Sequence, residues 1–302
     1  MSQAASHVEA LVEAIGHINP LQIPFLESSL SDLKVNEHNS LNAYIEFCLG
    51  TNIDIHYLSR CYDLIVKDTL REQIYFQRHK RYRYSSYGDV AESVYHNDDY
   101  MRLYMHGLAL TSFLWPNHRA MRRFFLEKIP KENRGTYLEI GPGHGFYFMS
   151  AMQLTSYNHF EGVDISPTSV ELTKSILTSR AFGTFTRYQL FCRDFLLEKM
   201  VRDKYEAIVM GEVLEHVEEP LAFLQKIRTL ANDDTFVYVT TCINAPAIDH
   251  IYLFDSISSL EAMLGDAKLM IRDKLLIPHE GLSLDQCLEQ RMPINVALVL
   301  GR

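Results

Sequence analysis

The stretch Tyr137-Leu138-Glu139-Ile140-Gly141-Pro142-Gly143-His144-Gly145 places three glycines at alternate positions directly after a short apolar run. Such a run followed at once by glycines describes a strand that turns sharply into a helix. Glycine has no Cβ, so it takes positive φ freely and lets a ligand lie against bare backbone, while the first N–H groups of the next helix point at that ligand. Glu139, at the strand end, puts a carboxylate where a dinucleotide phosphate would otherwise lie. That disfavours a pyrophosphate and favours a positively charged ligand. The spacing is also Gly-x-Gly-x-Gly, with Phe146 where a dinucleotide fingerprint has its third glycine.

Working outward, His159-Phe160-Glu161-Gly162-Val163 reads as a second strand ending at Asp164, nineteen residues beyond Gly145. An acid there can bond both hydroxyls of a ribose. Cys192-Arg193-Asp194-Phe195 follows a third strand. Tyr205 to Met210 forms a fourth, leading into Gly211-Glu212-Val213-Leu214-Glu215-His216-Val217-Glu218-Glu219-Pro220. This ordered series resembles motif I and its downstream partners in the class I S-adenosylmethionine-dependent methyltransferases, over residues 135–302. The resemblance implies an α/β, Rossmann-like seven-stranded sheet whose last strand runs antiparallel between the fifth and sixth, a feature dehydrogenase folds lack. It implies S-adenosyl-L-methionine as methyl donor and S-adenosyl-L-homocysteine as product. By the same resemblance the donor would be held by Glu139, Gly141, Gly143, Gly145, Asp164, Ile165, Asp194, Phe195, Glu212 and Val213, with Asp194 meeting the adenine amine.

The 302 residues, 47% of them hydrophobic, are ample for a packed core in one large or two modest domains. A formal charge of −9 argues against nonspecific attraction to nucleic acid phosphates. Five cysteines (Cys48, Cys61, Cys192, Cys242 and Cys287) are dispersed without a Cys-x-x-Cys pair, the usage of reduced core thiols in a cytosolic protein. No window approaches a membrane-spanning apolar length, and no basic-then-apolar leader opens the chain, so a cytoplasmic location is expected.

Ahead of the glycine turn the pattern is helical. Ser6-His7-Val8-Glu9 has capping-box spacing, followed by Val8, Leu11, Val12 and Ile15 at helical periodicity. Pro20 and Pro24 interrupt; Ser40 is the expected cap of a helix bearing Leu41, Tyr44, Ile45, Cys48 and Leu49; a third pattern runs from about Ile53 towards Tyr75. Helical signals resume at Asp98-Asp99, Pro116 and Asn117 break them, and Ala120 to Ile129 forms the last. Between them, Arg71 to Tyr87 mixes six basic residues with four tyrosines, a solvated connection or a nucleic-acid docking patch. The expected division is therefore residues 1–130 as a helical lid and dimerisation region and residues 131–302 as the donor-binding domain. In the second part, Pro167 and Pro220 open helices, the fifth strand spans Thr235 to Thr240, the sixth Lys268 to Ile277, and a Pro278 to Pro293 loop leads to Ile294 to Leu300.

Methyl transfer from a sulfonium is a direct displacement, so the protein's first task is alignment; a base is needed only if the acceptor must lose a proton. The leading candidate is His250, beside Asp249 in the loop after strand five, with Asp249 orienting the ring or capping a following helix. Tyr104, His118, Tyr252 and His279 are expected on the acceptor side. His216 reads as structural or donor-side and His144 as a solvent-facing loop residue. Histidines are plentiful, yet no diagnostic ligand spacing appears, so no metal is expected. Within the class, the Glu212-Val213-Leu214-Glu215-His216-Val217 loop and the Asp249-His250-Ile251-Tyr252-Leu253-Phe254 segment resemble small-molecule enzymes of natural-product or quinone-like biosynthesis, and no Asn/Asp-Pro-Pro-Tyr sequence follows strand four; a homodimer is expected by analogy. The rival readings are an RNA-directed methyltransferase docking through residues 71–87 and a non-catalytic partner-binding protein on the same fold.

Overall fold

The computed structural model describes residues 6–302. Helices α1 (His7–Ile18), α2 (Ile23–Ser31), α3 (Val35–Gly50), α4 (Ile55–His79), α5 (Tyr87–Val90), α6 (Asp98–Leu114) and α7 (Pro116–Lys128) precede the sheet, with a π-helical turn, Ala91–Tyr95, between α5 and α6. Strands and helices then alternate: β1 (Thr136–Ile140), α8 (Phe146–Leu154), β2 (His159–Asp164), α9 (Pro167–Thr178), β3 (Tyr188–Cys192), β4 (Tyr205–Gly211), α10 (Pro220–Leu230), β5 (Ala231–Ile243), α11 (Ile257–Asp266), β6 (Met270–Pro278), α12 (Leu284–Gln290) and β7 (Ile294–Gly301). The sheet order is β3-β2-β1-β4-β5-β7-β6, and β7 is antiparallel to both neighbours. This is the expected methyltransferase sheet.

Local chemistry accounts for most boundaries. Ser6 Oγ accepts from Glu9 N–H and the Glu9 carboxylate accepts from Ser6 N–H, closing the capping box of α1. Prolines open α7, α9 and α10, where a missing N–H costs nothing. Several boundaries differ from expectation. Ser40 caps nothing: α3 starts at Val35, with Lys34 N–H held by Glu37, and the Ser40 hydroxyl donates back to the Asn36 carbonyl. Pro24 lies in the first turn of α2 and Pro116 begins α7, so both start helices they were expected to interrupt. The loop before β7 contains α12, capped by Ser283 and Gln286. β5 extends to Ala231–Ile243, with a register irregularity against β4.

Strand alternation sends Tyr137, Ala207, Val209, Tyr238 and Ala297 to one face and Leu138, Ile208, Met210, Val237 and Leu298 to the other. The first face continues without a break into Leu11, Ile45, Leu58, Leu110 and Phe125, so the N-terminal helices and the sheet share one apolar core. Among the described residues no helix is long and apolar enough to cross a membrane.

Helix α6 approaches α4 closely at Gly107, where a Cβ would stand 2.5 Å from both the Cys61 carbonyl oxygen and Ile65 Cγ1. Alanine is intrinsically better in a helix by about 1 kcal/mol, but overpacking against backbone costs about 1–3 kcal/mol. Gly107→Ala is therefore expected to lower the urea midpoint; an unchanged or raised midpoint would show that α4 and α6 pack more loosely than described.

Candidate active site

The C-terminal ends of β1, β2, β4 and β5 face a cavity of about 1430 Å³ roofed by α4, α6 and α7. Open α/β sheets bind ligands at this edge. The volume exceeds the roughly 300–1,000 Å³ of ordinary small-ligand pockets, enough for a donor and an acceptor together.

The glycine loop forms one wall. Gly141, Gly143 and Gly145 have φ of +67°, +55° and +76°, and a Cβ on Gly141 would meet Val213 Cγ2 at 2.6 Å. Asp164 faces the cavity with its carboxylate already aimed: Gly143 N–H donates at 3.2 Å and Ser166 N–H at 2.8 Å. Burial pushes its pKa up to about 6 against those hydrogen bonds. Ile165 is half exposed beside it. Asp194 also lines the cavity, with one oxygen accepting from Leu196 N–H at 2.7 Å, while Phe195 is buried. Glu212 holds a left-handed backbone, φ +52°, its N–H donated to Thr240 Oγ1 at 3.0 Å. Such strain in a non-glycine residue concentrates at working sites. Its Oε1 is buried without a partner, and burial together with Glu215 raises its pKa. Glu139 lies beneath the loop, outside the cavity wall; the Tyr137 hydroxyl donates to it, and burial pushes it up to about 8. Glu212, not Glu139, is thus the acid of this pair that lines the cavity, with one oxygen buried beside Glu215.

Asp249 and His250 do not form the pair that adjacency suggested. No helix follows for Asp249 to cap, since α11 starts at Ile257 with Ser256 as its own cap. Asp249 instead accepts from the Tyr104 hydroxyl at 2.8 Å and the Tyr95 hydroxyl at 3.2 Å, and pairs with His216 Nδ1 at 3.3 Å. His250 turns Nδ1 to the Ala245 carbonyl at 2.6 Å, and its ring stands edge-on to His216 at 4.7 Å. Burial opposes a charged His216, but Asp249 prevails and raises it to about 9. Burial likewise opposes ionisation of Asp249, yet His216 holds it well below the usual carboxylate range. Burial and the cationic His216 lower His250. His250 is therefore neutral, with Nδ1–H spent on Ala245 and Nε2 carrying the lone pair. Two trios, Glu215–Cys242–His250 and His216–Asp249–His250, bring potential ligand atoms within 4.8 Å. A metal there would have to displace hydrogen bonds that His250 and Asp249 already make.

At the other end of the cavity, His118 Nδ1 lies 3.1 Å from Thr111 Oγ1. His144 lines the cavity, which corrects the expectation of a solvent-facing ring: its Nε2 is 3.0 Å from Ser112 Oγ and Phe146 N–H donates to Nδ1. His279 sits exposed at the rim. Tyr104 lines the wall with its hydroxyl committed to Asp249, whereas Tyr252 turns away, packing on Phe254 against the opposite face of the sheet. Three wall residues carried no sequence signal: Tyr95, Ser112 and Arg122.

The fold is that of a class I S-adenosylmethionine-dependent methyltransferase. A family model described as "Methyltransferase domain" matches residues 116–284, more than half of the chain, and the chain belongs to that family. Among solved structures it resembles the mitomycin 7-O-methyltransferase MmcR, with 13% identity, 82% of this chain and 70% of that one covered, and a TM-score of 0.53. It also resembles the 4+2-cyclase SpnF, with 12% identity, 63% of this chain and 82% of that one covered, and a TM-score of 0.50. No curated protein matches the chain. The fold implies S-adenosylmethionine as donor, and the residues fit it: bare glycine backbone, an aimed acid at the end of β2, and an orphaned Glu212 oxygen for a cationic group.

The His216–Asp249 pair makes stability pH-dependent. The raised histidine contributes fully below its unfolded pKa of about 6.5 and is lost as pH rises through about 9, while the depressed aspartate contributes above about 3.9 and is lost towards acid. The pair's own contribution is expected to be flat from about pH 4 to 6.5 and to be lost as pH rises from there through about 9. Asp249→Asn should cost about 3 kcal/mol and move the His216 ring titration, followed by NMR, below neutrality; a His216 still protonated at pH 8 would break this assignment.

Proposed function

We propose that this protein methylates a small-molecule acceptor, of the natural-product or quinone-like kind, by in-line transfer inside the roofed cavity. The observation that carries the reading is the cavity itself, about 1430 Å³, with Asp164 and the glycine loop on one wall and three helices over the other. A macromolecular substrate would need an open surface where this protein has a roof. Residues 1–130 act in this reading as the roof and a dimer-forming segment, and residues 131–302 as the donor-binding domain.

When bound, S-adenosylmethionine supplies a methyl group already activated on a sulfonium. The chain's own work is alignment, which can be worth roughly 7–11 kcal/mol. Gly141, Gly143 and Gly145 present backbone. Asp164 accepts from the ribose hydroxyls, Asp194, Ile165 and Phe195 border the base, and Glu212 faces the ammonium, its loop set by Val213. Glu139 supports the loop from below. On the acceptor side, Tyr104, His118 and His279 shape the pocket, and His250 takes the acceptor's proton at Nε2. Asp249 acts at one remove: it keeps His216 charged, and that charge adds to burial in keeping His250 unprotonated.

Two charges of the basic segment are used internally, which favours this reading over RNA docking, while Arg78, Lys80 and Arg81 stay exposed. Arg71 pairs with Asp68 at 3.0 Å, Arg83 pairs with buried Glu72 at 3.0 Å, and Arg83 stacks 4.2 Å from the Tyr75 ring. Against a purely partner-binding role stand the cavity and the acids Asp164 and Glu212 that line it.

Calorimetric titration with S-adenosylmethionine and S-adenosylhomocysteine is expected to give binding that Asp164→Ala weakens at least roughly ten-fold, as loss of hydrogen bonds to a charged acceptor predicts. A folded wild type that binds neither would end the proposal. With an acceptor identified among hydroxylated or keto-acid metabolites, His250→Gln should lower kcat by about 10² or more at unchanged S-adenosylhomocysteine affinity. The wild-type rate should fall only below the ordinary histidine pKa, since His250 is depressed; a limb at or above neutrality, or retention of activity in the variant, would remove His250 as the base.

A further inference from the structure

The run Ile294-Asn295-Val296-Ala297-Leu298-Val299-Leu300 in β7 is apolar except at Asn295. Asparagine is depleted in strands, and β7 lies inside the sheet, where an amide has no solvent to face. Its partner is Asn117, in the first turn of α7, whose Nδ2 donates to Asn295 Oδ1 at 2.8 Å. Two facing amides can return a second bond, and here it is not made. Among the described residues, Asn117 Oδ1 and Asn295 Nδ2 form no hydrogen bond, and both residues line the cavity. Exchanging oxygen and nitrogen within both amides leaves the same remainder, one carbonyl oxygen and one NH2 group.

The pair is also within reach of the reacting end. Residues opposed in an antiparallel ladder share a face, with Cβ atoms on the order of 5 Å apart. Asn295 is opposed by Cys242 of β5 on one side and Ile277 of β6 on the other. The Cys242 thiol in turn lies 3.8 Å from His250 Nδ1. One strand spacing and one side chain thus separate the amides from His250, a gap that a two-ring molecule bridges. The wall around them carries Trp115, Met121, Ile248, Ile277 and Met292. Nearby charges are already paired: Asp68 with Arg71, Asp249 with His216, and Arg123 with Asp32 and Glu37. Amide groups left unmade in such a wall are costly until a guest completes them.

We propose that Asn117 and Asn295 together recognise the methyl acceptor, a neutral and largely apolar ring compound in which a carbonyl stands beside an N–H or O–H. The carbonyl accepts from the spare amide N–H, and the ring's N–H or O–H donates to the spare amide oxygen. Fixing that end of the ring turns its far side towards His250 and the donor. The assignment deepens the methyl-transfer reading and rests on it.

Trp115, the single tryptophan of the chain, lines the cavity two residues before Asn117 and reports on this wall by its emission. The probes are 2-quinolone, a neutral bicyclic lactam with N–H beside C=O, and 1-methyl-2-quinolone, in which that N–H is blocked. Each is titrated into the full chain saturated with S-adenosylhomocysteine. Wild type is expected to bind 2-quinolone roughly ten-fold more tightly than its methyl derivative. Asn117→Leu/Asn295→Val, which removes both amides at once, should bind S-adenosylhomocysteine as wild type does and treat the two probes alike. A second measurement needs no substitution: the side-chain NH2 resonances of Asn117 and Asn295, followed by NMR in wild type, should move on addition of 2-quinolone. Equal binding of the two probes by wild type, unmoved amide resonances at saturating 2-quinolone, or a folded double variant that keeps the preference would each overturn the amide site and leave methyl transfer standing. Wild type that binds no S-adenosylhomocysteine would instead take down the methyl-transfer reading, and the acceptor role of the pair with it.

Discussion

One buried carboxylate holds the working end of this molecule together. Asp249 collects Tyr95 from the π-helical turn, Tyr104 from α6 and His216 from the loop after β4, so three separate segments converge on two oxygens. A charge in an apolar interior is tolerated only when its oxygens are well occupied. Each of the three donors is consequently required where it is, and the roof is tied to the sheet by chemistry as well as by apolar contact. The same convergence divides the cavity electrically: a fixed ion pair sits behind His250, neutral histidines and a lone guanidinium line the opposite end, and Asp164 and Glu212 edge the wall between.

Much of the fold was legible because its signals are local. The strands of a sheet covered on both faces appear as short apolar runs, such as Ile208-Val209-Met210, and proline and glycine mark the turns between them. The misplaced boundaries share a cause. Pro24, Pro116 and the residues before β7 were weighed as breakers, although proline in a first turn starts a helix, and a short capped helix such as α12 fits inside what reads as a loop. Ser40 has the right chemistry for a cap, but the upstream Lys34–Glu37 contact begins the helix sooner.

The site was legible only where function resides in the backbone. Glycines that must adopt positive φ announce themselves whatever surrounds them, and Asp164 follows from its distance to that turn. Side-chain partnerships in irregular segments have no such signature. Asp249 and His250 are chain neighbours that point to different partners, and Asp249 finds Tyr104 from 145 positions away. Arg122 was hidden for a further reason: beside the apolar residues Met121, Phe124 and Phe125 an arginine reads as the solvent side of a helix, whereas α7 is covered on that side as well, by α6 and α8.

The position of β7 bears on how the protein comes to be made. It follows every other strand in the chain yet lies inside the sheet, between β5 and β6, contributing Asn295 to the cavity wall, where it accepts from Asn117 of α7. During synthesis β5 and β6 therefore emerge with facing edges unpaired, and open strand edges are where chains stick to one another. Closing the gap adds Asn295, the last residue of the cavity wall, so the ligand chamber is complete only once β7 has been made and paired.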